Sequence, residues 1–114
     1  MPNYLYSVIL ITAGITERGR IFMDIWELLI KNQNKQYYTV QNLPFTYTIK
    51  GNEMFISRKD KSITYSTVKI FYERVMEKQR SGEVLTGPKK IGTFGASYLY
   101  PIFLELGIIQ LKRD

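Results

Sequence analysis

The sequence predicts an α+β fold, with about three helices and a small, mainly antiparallel sheet. Apolar residues recur at helical spacing around residues 21–29 and again at 68–76. Between them, residues 45–58 alternate with the period of a strand on either side of a Gly-Asn turn, which predicts a β-hairpin. At 114 residues and 45% apolar composition, the chain has the size and the core of one domain spanning 1–114.

The elements follow in order. The run YLYSVILIT, residues 4–12, is rich in β-branched and aromatic side chains and ends at Ala13-Gly14, which favours a buried strand. A helix capped by Asn3 is the alternative, and periodicity does not separate the two. From Thr16, a cap candidate, TERGRIFMDIWELLIKN places polar residues at Arg20, Asp24, Glu27 and Lys31, one stripe of a helix. Ile21, Phe22, Ile25, Trp26, Leu28 and Leu29 make the rest apolar, so a wide face must be buried, with Trp26 as a packing anchor.

After NQNKQ, residues 37–61 read as β structure. Phe45, Tyr47 and Ile49 alternate with Thr46, Thr48 and Lys50, Pro44 fits only the start of such a strand, and MFISR returns after the turn. Ser62 or Thr64 can cap the next helix, whose buried face is Val68, Phe71, Tyr72, Val75 and Met76, fading at Arg80-Ser81-Gly82. The last helix is expected after Ser97, with Pro101 tolerable only in its first turn, Gly107 as its stop, and IIQLK as a short final strand.

Charge is the main functional signal. Sixteen Lys and Arg against ten Asp and Glu leave +6, which favours a polyanion, nucleic acid first. The surplus is uneven: residues 1–57 hold five basic and four acidic side chains, residues 58–114 eleven and six. With no cysteine and no histidine, disulfides, thiolate metal sites and the usual general base are missing. Asp24, Asp60 and Asp114 form no evident cluster with a glutamate. No metal, cofactor or catalytic role is expected. The apolar run 4–14 is too short to span a bilayer and has no basic residues ahead of it, so a soluble, cytoplasmic protein with no membrane association is the expectation.

Two constellations carry the polyanion chemistry. In LTGPKKIGTFGASYLYP, residues 85–101, Lys89 and Lys90 precede Gly92, Gly95 and Ser97 at the start of a helix, where backbone N–H groups can converge on a phosphate. This is no Walker loop, because Thr93-Phe94 follows Gly92 where Lys-Ser or Lys-Thr is needed. In SRKDKSITYSTVK, residues 57–69, Arg58, Lys59 and Lys61 precede a helix that opens with hydroxyls, and Tyr65 could stack on a base. The plain structural reading makes the glycines turns, the hydroxyls caps and the lysines a solvated edge.

Two family resemblances bear on the same residues. IGTFGASYL, residues 91–99, is similar to the IGxxGxxI signature of KH domains, which implies a GXXG loop on a nucleic-acid backbone. SYLYPIFLELGIIQLKRD, residues 97–114, resembles the end of winged-helix domains. That implies a winged-helix-like architecture in which Ser97, Tyr98 and Tyr100 face DNA, with Lys112 and Arg113 on phosphates.

The expected function is therefore a non-catalytic module binding DNA or RNA through Arg58, Lys59, Lys61, Tyr65, Lys89, Lys90, Gly92, Gly95, Ser97, Lys112 and Arg113. The alternative is a small inhibitor or adaptor that docks on a larger protein, since nine tyrosines and a basic surface also suit a protein interface. Homo-oligomerisation through an edge at residues 4–12 is a third expectation.

Overall fold

The computed structural model describes residues 17–111. The expectations for residues 4–12, the Thr16 cap, Lys112 and Arg113 lie outside these. The chain divides into two compact units between Asn32 and Gln33.

In the first unit, α1 runs from Glu17 to Lys31. Its predicted faces hold where they are described. Asp24, Glu27 and Lys31 are exposed, while Phe22, Trp26 and Leu29 are buried. The Phe22 and Trp26 rings lie 6.3 Å apart, one helical turn along the same face.

In the second unit, the strands are β1 (Tyr37–Tyr38), β2 (Pro44–Phe45), β3 (Tyr47–Lys50), β4 (Glu53–Ile56) and β5 (Ile63–Thr64). They form an antiparallel pair β1-β2 and an antiparallel three-stranded sheet β3-β4-β5. The expected hairpin is β3-β4, with Lys50 opposite Glu53 and Gly51 at a φ of 59° in its two-residue loop, a conformation glycine adopts without strain. Pro44 opens its strand, as expected. The β1-β2 hairpin turns through residues 39–43, where Thr39 Oγ1 accepts from the Leu43 amide and Asn42 takes a φ of 67°.

Helix α2, Tyr65–Arg80, is capped by Thr64, whose hydroxyl accepts from the Thr67 amide at 3.2 Å. Val68, Phe71, Tyr72 and Val75 are buried, and Met76 is half-buried. Helix α3, Ala96–Glu105, follows a single 3₁₀ turn at Pro88–Lys90. The two helices meet through Phe71 and Phe103, edge to face at 4.9 Å between ring centres. Among the described residues, then, three α-helices and small antiparallel sheets make the α+β fold the sequence predicts.

Three local expectations are corrected. Ser97 does not cap α3. Gly95 does, in the left-handed region at φ 75°, so the helix begins at Ala96 and Ser97 is its second residue. Pro101 consequently falls in the second turn, beyond the first-turn limit. Its ring leaves the Ser97 carbonyl without the usual helical donor. The position tolerates this because Ser97 is exposed and water can serve its carbonyl, while the Pro101 ring is buried. The expected strand over IIQLK is absent from residues 108–111. Gly107, at φ 80°, closes α3 as expected, with the Ile108 amide reaching the Phe103 carbonyl and the Gly107 amide the Leu104 carbonyl, a Schellman ending. The segment beyond is held by a helix side chain in place of a strand: Gln79 Nε2 donates to the Ile108 carbonyl at 3.1 Å and its Oε1 accepts from the Gln110 amide at 2.9 Å.

Candidate functional site

The 87–95 stretch is shaped by its glycines and by α2. Pro88 starts the 3₁₀ turn, and the Gly92 amide folds back on the Pro88 carbonyl at 3.1 Å. Gly92 and Gly95 both take φ 75°, which brackets Thr93-Phe94 with two left-handed residues and throws Phe94 outward, 48% exposed. At Gly95 there is also no room for a side chain, because a Cβ would lie 2.4 Å from Cδ1 of Ile63, a fully buried residue of β5.

This packing brings the two basic constellations together. Lys59 Nζ sits 4.0 Å from the centre of the Phe94 ring, a cation–π contact worth about 0.5–1 kcal/mol where it is partly wet. Arg58 is anchored beside it, its Nε donating to the Pro44 carbonyl at 2.9 Å. Segments separated by about thirty residues in the chain thus share one surface.

Thr93 and Gly95, the chain neighbours of Phe94, line a cleft of about 470 Å³. One wall is the β1-β2 turn, with Thr39, Val40, Gln41 and Leu43; the other is the 88–98 stretch, with Lys89, Gly92, Thr93, Gly95, Ser97 and Tyr98. Lys89 is the one charged side chain in the lining, and it carries no carboxylate. Within α3 the Tyr98 and Leu99 amides both turn back to the Gly95 carbonyl at 3.0 Å. The Tyr98 ring is fixed from behind by Phe45, edge to face at 5.1 Å. Tyr37 continues this aromatic row, 5.9 Å from Phe45 and 5.5 Å from Tyr47. Burial raises both the Tyr47 and Tyr37 hydroxyls above the ordinary tyrosine value, and the hydrogen bond between them raises Tyr47 further while lowering Tyr37.

The expected residues therefore separate into groups. Lys89, Gly92, Gly95 and Ser97 line the cleft; Lys59 rests on Phe94, which stands between the lining residues Thr93 and Gly95, and Arg58 is tied to the Pro44 carbonyl without lining the cleft; Lys90 is exposed on the 3₁₀ turn next to Lys89. Lys61, exposed in the turn before β5, and Tyr65, half-buried at the start of α2 with its amide on the Asn52 carbonyl, do not line it. Tyr100 cannot face DNA in the way the winged-helix resemblance implies. It is 2% exposed, with its hydroxyl on the Leu85 carbonyl at 2.9 Å and its ionisation pushed up by burial.

Three contributors were not singled out from the sequence. Phe94 stood there only as the residue that spoils a Walker loop, although an aromatic between two glycines is a signal for an exposed ring. Residues 39–43 were read only as part of a β segment. Arg74, whose Nη1 holds the Ile91 carbonyl at 3.0 Å, gave no sequence signal beyond its charge. Among the described residues, no group of three or more acidic side chains is placed to hold a metal ion, and no helix is long and apolar enough to cross a membrane. In comparisons with known proteins, no family model, curated protein or solved structure matches this chain, and its function has to be read from the cleft and its charges.

Proposed function

We propose that this chain is a nucleic-acid-binding module that acts by binding and not by catalysis, holding phosphates with Arg58, Lys59, Lys89 and Lys90 around the Gly92–Gly95 loop. The observation that carries the reading is the contact of Lys59 with Phe94, which brings one basic segment onto the other next to residues that line a cleft with no carboxylate in its walls. Such cations neutralise phosphates, while the exposed Ser97 hydroxyl offers a hydrogen bond that helps to fix the register.

Titration of the purified protein against labelled DNA and RNA at two salt concentrations tests the proposal. Affinity should fall steeply with salt. Replacing Lys89 and Lys90 by alanine should lower it and flatten the salt slope by about two, and Arg58→Ala with Lys59→Ala should do the same without loss of folding. No binding at low salt, or variants that bind as wild type, would overturn it.

A second reading, docking on a larger protein, draws on Tyr38, Val40 and Leu43, which are 50%, 61% and 41% exposed on the β1-β2 hairpin. Pull-down with the wild-type hairpin against a Val40→Asp variant would distinguish it.

A further inference from the structure

The cleft has two unlike walls, and phosphate binding uses only one of them. The 88–98 wall carries Lys89 and the hydroxyls of Thr93 and Ser97, which suit an anion. The opposite wall presents Val40 and Leu43, apolar and largely exposed, with nothing to offer a phosphate. Tyr98 also lines the cleft, its ring held in place by Phe45. A duplex keeps its base faces stacked and shows this surface only phosphates, sugars and groove edges, so it would leave Val40 and Leu43 wet. A single strand can turn a base out of its own stack and lay it against apolar and aromatic side chains. A volume of about 470 Å³ falls within the range of sites that enclose one small organic group.

We infer that the cleft seats one unpaired nucleotide, with its base against Val40, Leu43 and Tyr98 and its phosphate toward Lys89 and Ser97, and that the chain therefore selects single strands over duplex. This rests on the nucleic-acid reading above. The occupant is chosen by charge complementarity: the lining holds a lysine and no carboxylate, exposed Lys90 follows Lys89 in the chain, and Lys59 lies over the ring of Phe94, which stands between the lining residues Thr93 and Gly95.

The experiment compares three labelled probes carrying the same number of phosphates at one low salt concentration: a short single strand, the same strand with abasic linkers in place of its nucleosides, and a duplex of half its length. The intact strand should bind about tenfold more tightly than either of the others, the worth of one stacked base. Val40→Ser with Leu43→Ser should remove that preference and leave duplex binding unchanged, with a thermal melt to verify folding. Equal affinity for all three probes overturns the inference while leaving the phosphate-binding proposal intact, as does a preference for duplex. A single-strand preference that survives in a folded Val40→Ser/Leu43→Ser protein overturns the assignment to this cleft. If that variant does not fold, the wild-type comparison of intact and abasic strands decides. Binding of none of the probes overturns both readings and directs the search to a protein partner.

Discussion

Arg74 Nη1 reaches from the middle of α2 to the carbonyl of Ile91 and donates a hydrogen bond of 3.0 Å. Ile91 is buried and stands immediately ahead of Gly92, so this bond ties the start of the glycine loop to α2, beside the bonds of the Ile91 and Gly92 amides to the Pro88 carbonyl. A guanidinium is suited to the task, because it stays charged and its donors are held in a rigid plane.

Arg74→Met keeps the aliphatic stem and removes the donor. The expected cost is about 1 kcal/mol of stability, the scale of one partly wet hydrogen bond. Amides of residues 92–95 should exchange faster in the variant than in wild type, while those in the middle of α2 keep their protection. Nucleic-acid affinity should fall with them. Unchanged exchange at the loop would remove Arg74 from any positioning role.

Gly92 and Gly95 share a φ of 75° but differ in what surrounds them. At Gly92 an added Cβ would meet nothing nearer than the Lys89 carbonyl at 3.8 Å, so Gly92→Ala should cost only the left-handed backbone penalty, about 1–2 kcal/mol. At Gly95 the methyl would also collide with Ile63, and Gly95→Ala should cost about 2–4 kcal/mol. Urea denaturation of both variants checks the order. Ile63→Val removes Cδ1, the nearer of the two clashing atoms, and leaves Cγ1 at 2.9 Å, so in a double-mutant cycle it should recover part of the Gly95→Ala loss. Simple additivity would mean that the loop does not pack on β5 as described.

The buried tyrosines set an alkaline limit. Tyr47, Tyr37 and Tyr100 all hold their protons more tightly when folded than the ordinary 10.0, chiefly because burial disfavours the phenolate. Their contribution is complete below the unfolded value and is lost as pH rises above it, since only the unfolded chain can then ionise them freely. Melting temperature should therefore decline steadily above about pH 10. Replacing both Tyr37 and Tyr47 by phenylalanine, which removes their mutual hydrogen bond without stranding either hydroxyl, should flatten that decline. A variant with the wild-type slope would place the alkaline limit elsewhere.

What was legible in the sequence is what short-range periodicity encodes. Helix α2 could be read from Val68, Phe71, Tyr72 and Val75, because one buried stripe dictates both type and phase. The β3-β4 hairpin was equally open, through Gly51-Asn52 and the alternation on either side. The glycine loop and the basic segment could each be recognised, but not their meeting. That depends on Ile63 and Gly95 touching and on Lys59 lying over Phe94, contacts between residues far apart that no local pattern records. Local preference also misled at Ser97 and Pro101. A serine ahead of an apolar run is a favoured cap, yet the left-handed Gly95 takes that place and carries the proline from the first turn into the second. The final segment failed as a strand because its partner was the amide of Gln79, whose two ends imitate the groups of a neighbouring strand.

The border of the three-stranded sheet has a consequence for assembly. Strand β3 lies at its edge, yet Gln33 Oε1 already accepts from the Ile49 amide, the Asn34 amide donates to the Tyr47 carbonyl, and the Thr48 hydroxyl donates to Asn34 Oδ1. A second chain arriving along that side finds the outward positions at Tyr47 and Ile49 already occupied by the protein's own loop. Molecules crowded together, where local concentration climbs steeply, then find no open seam at β3 along which to zip into a fibre.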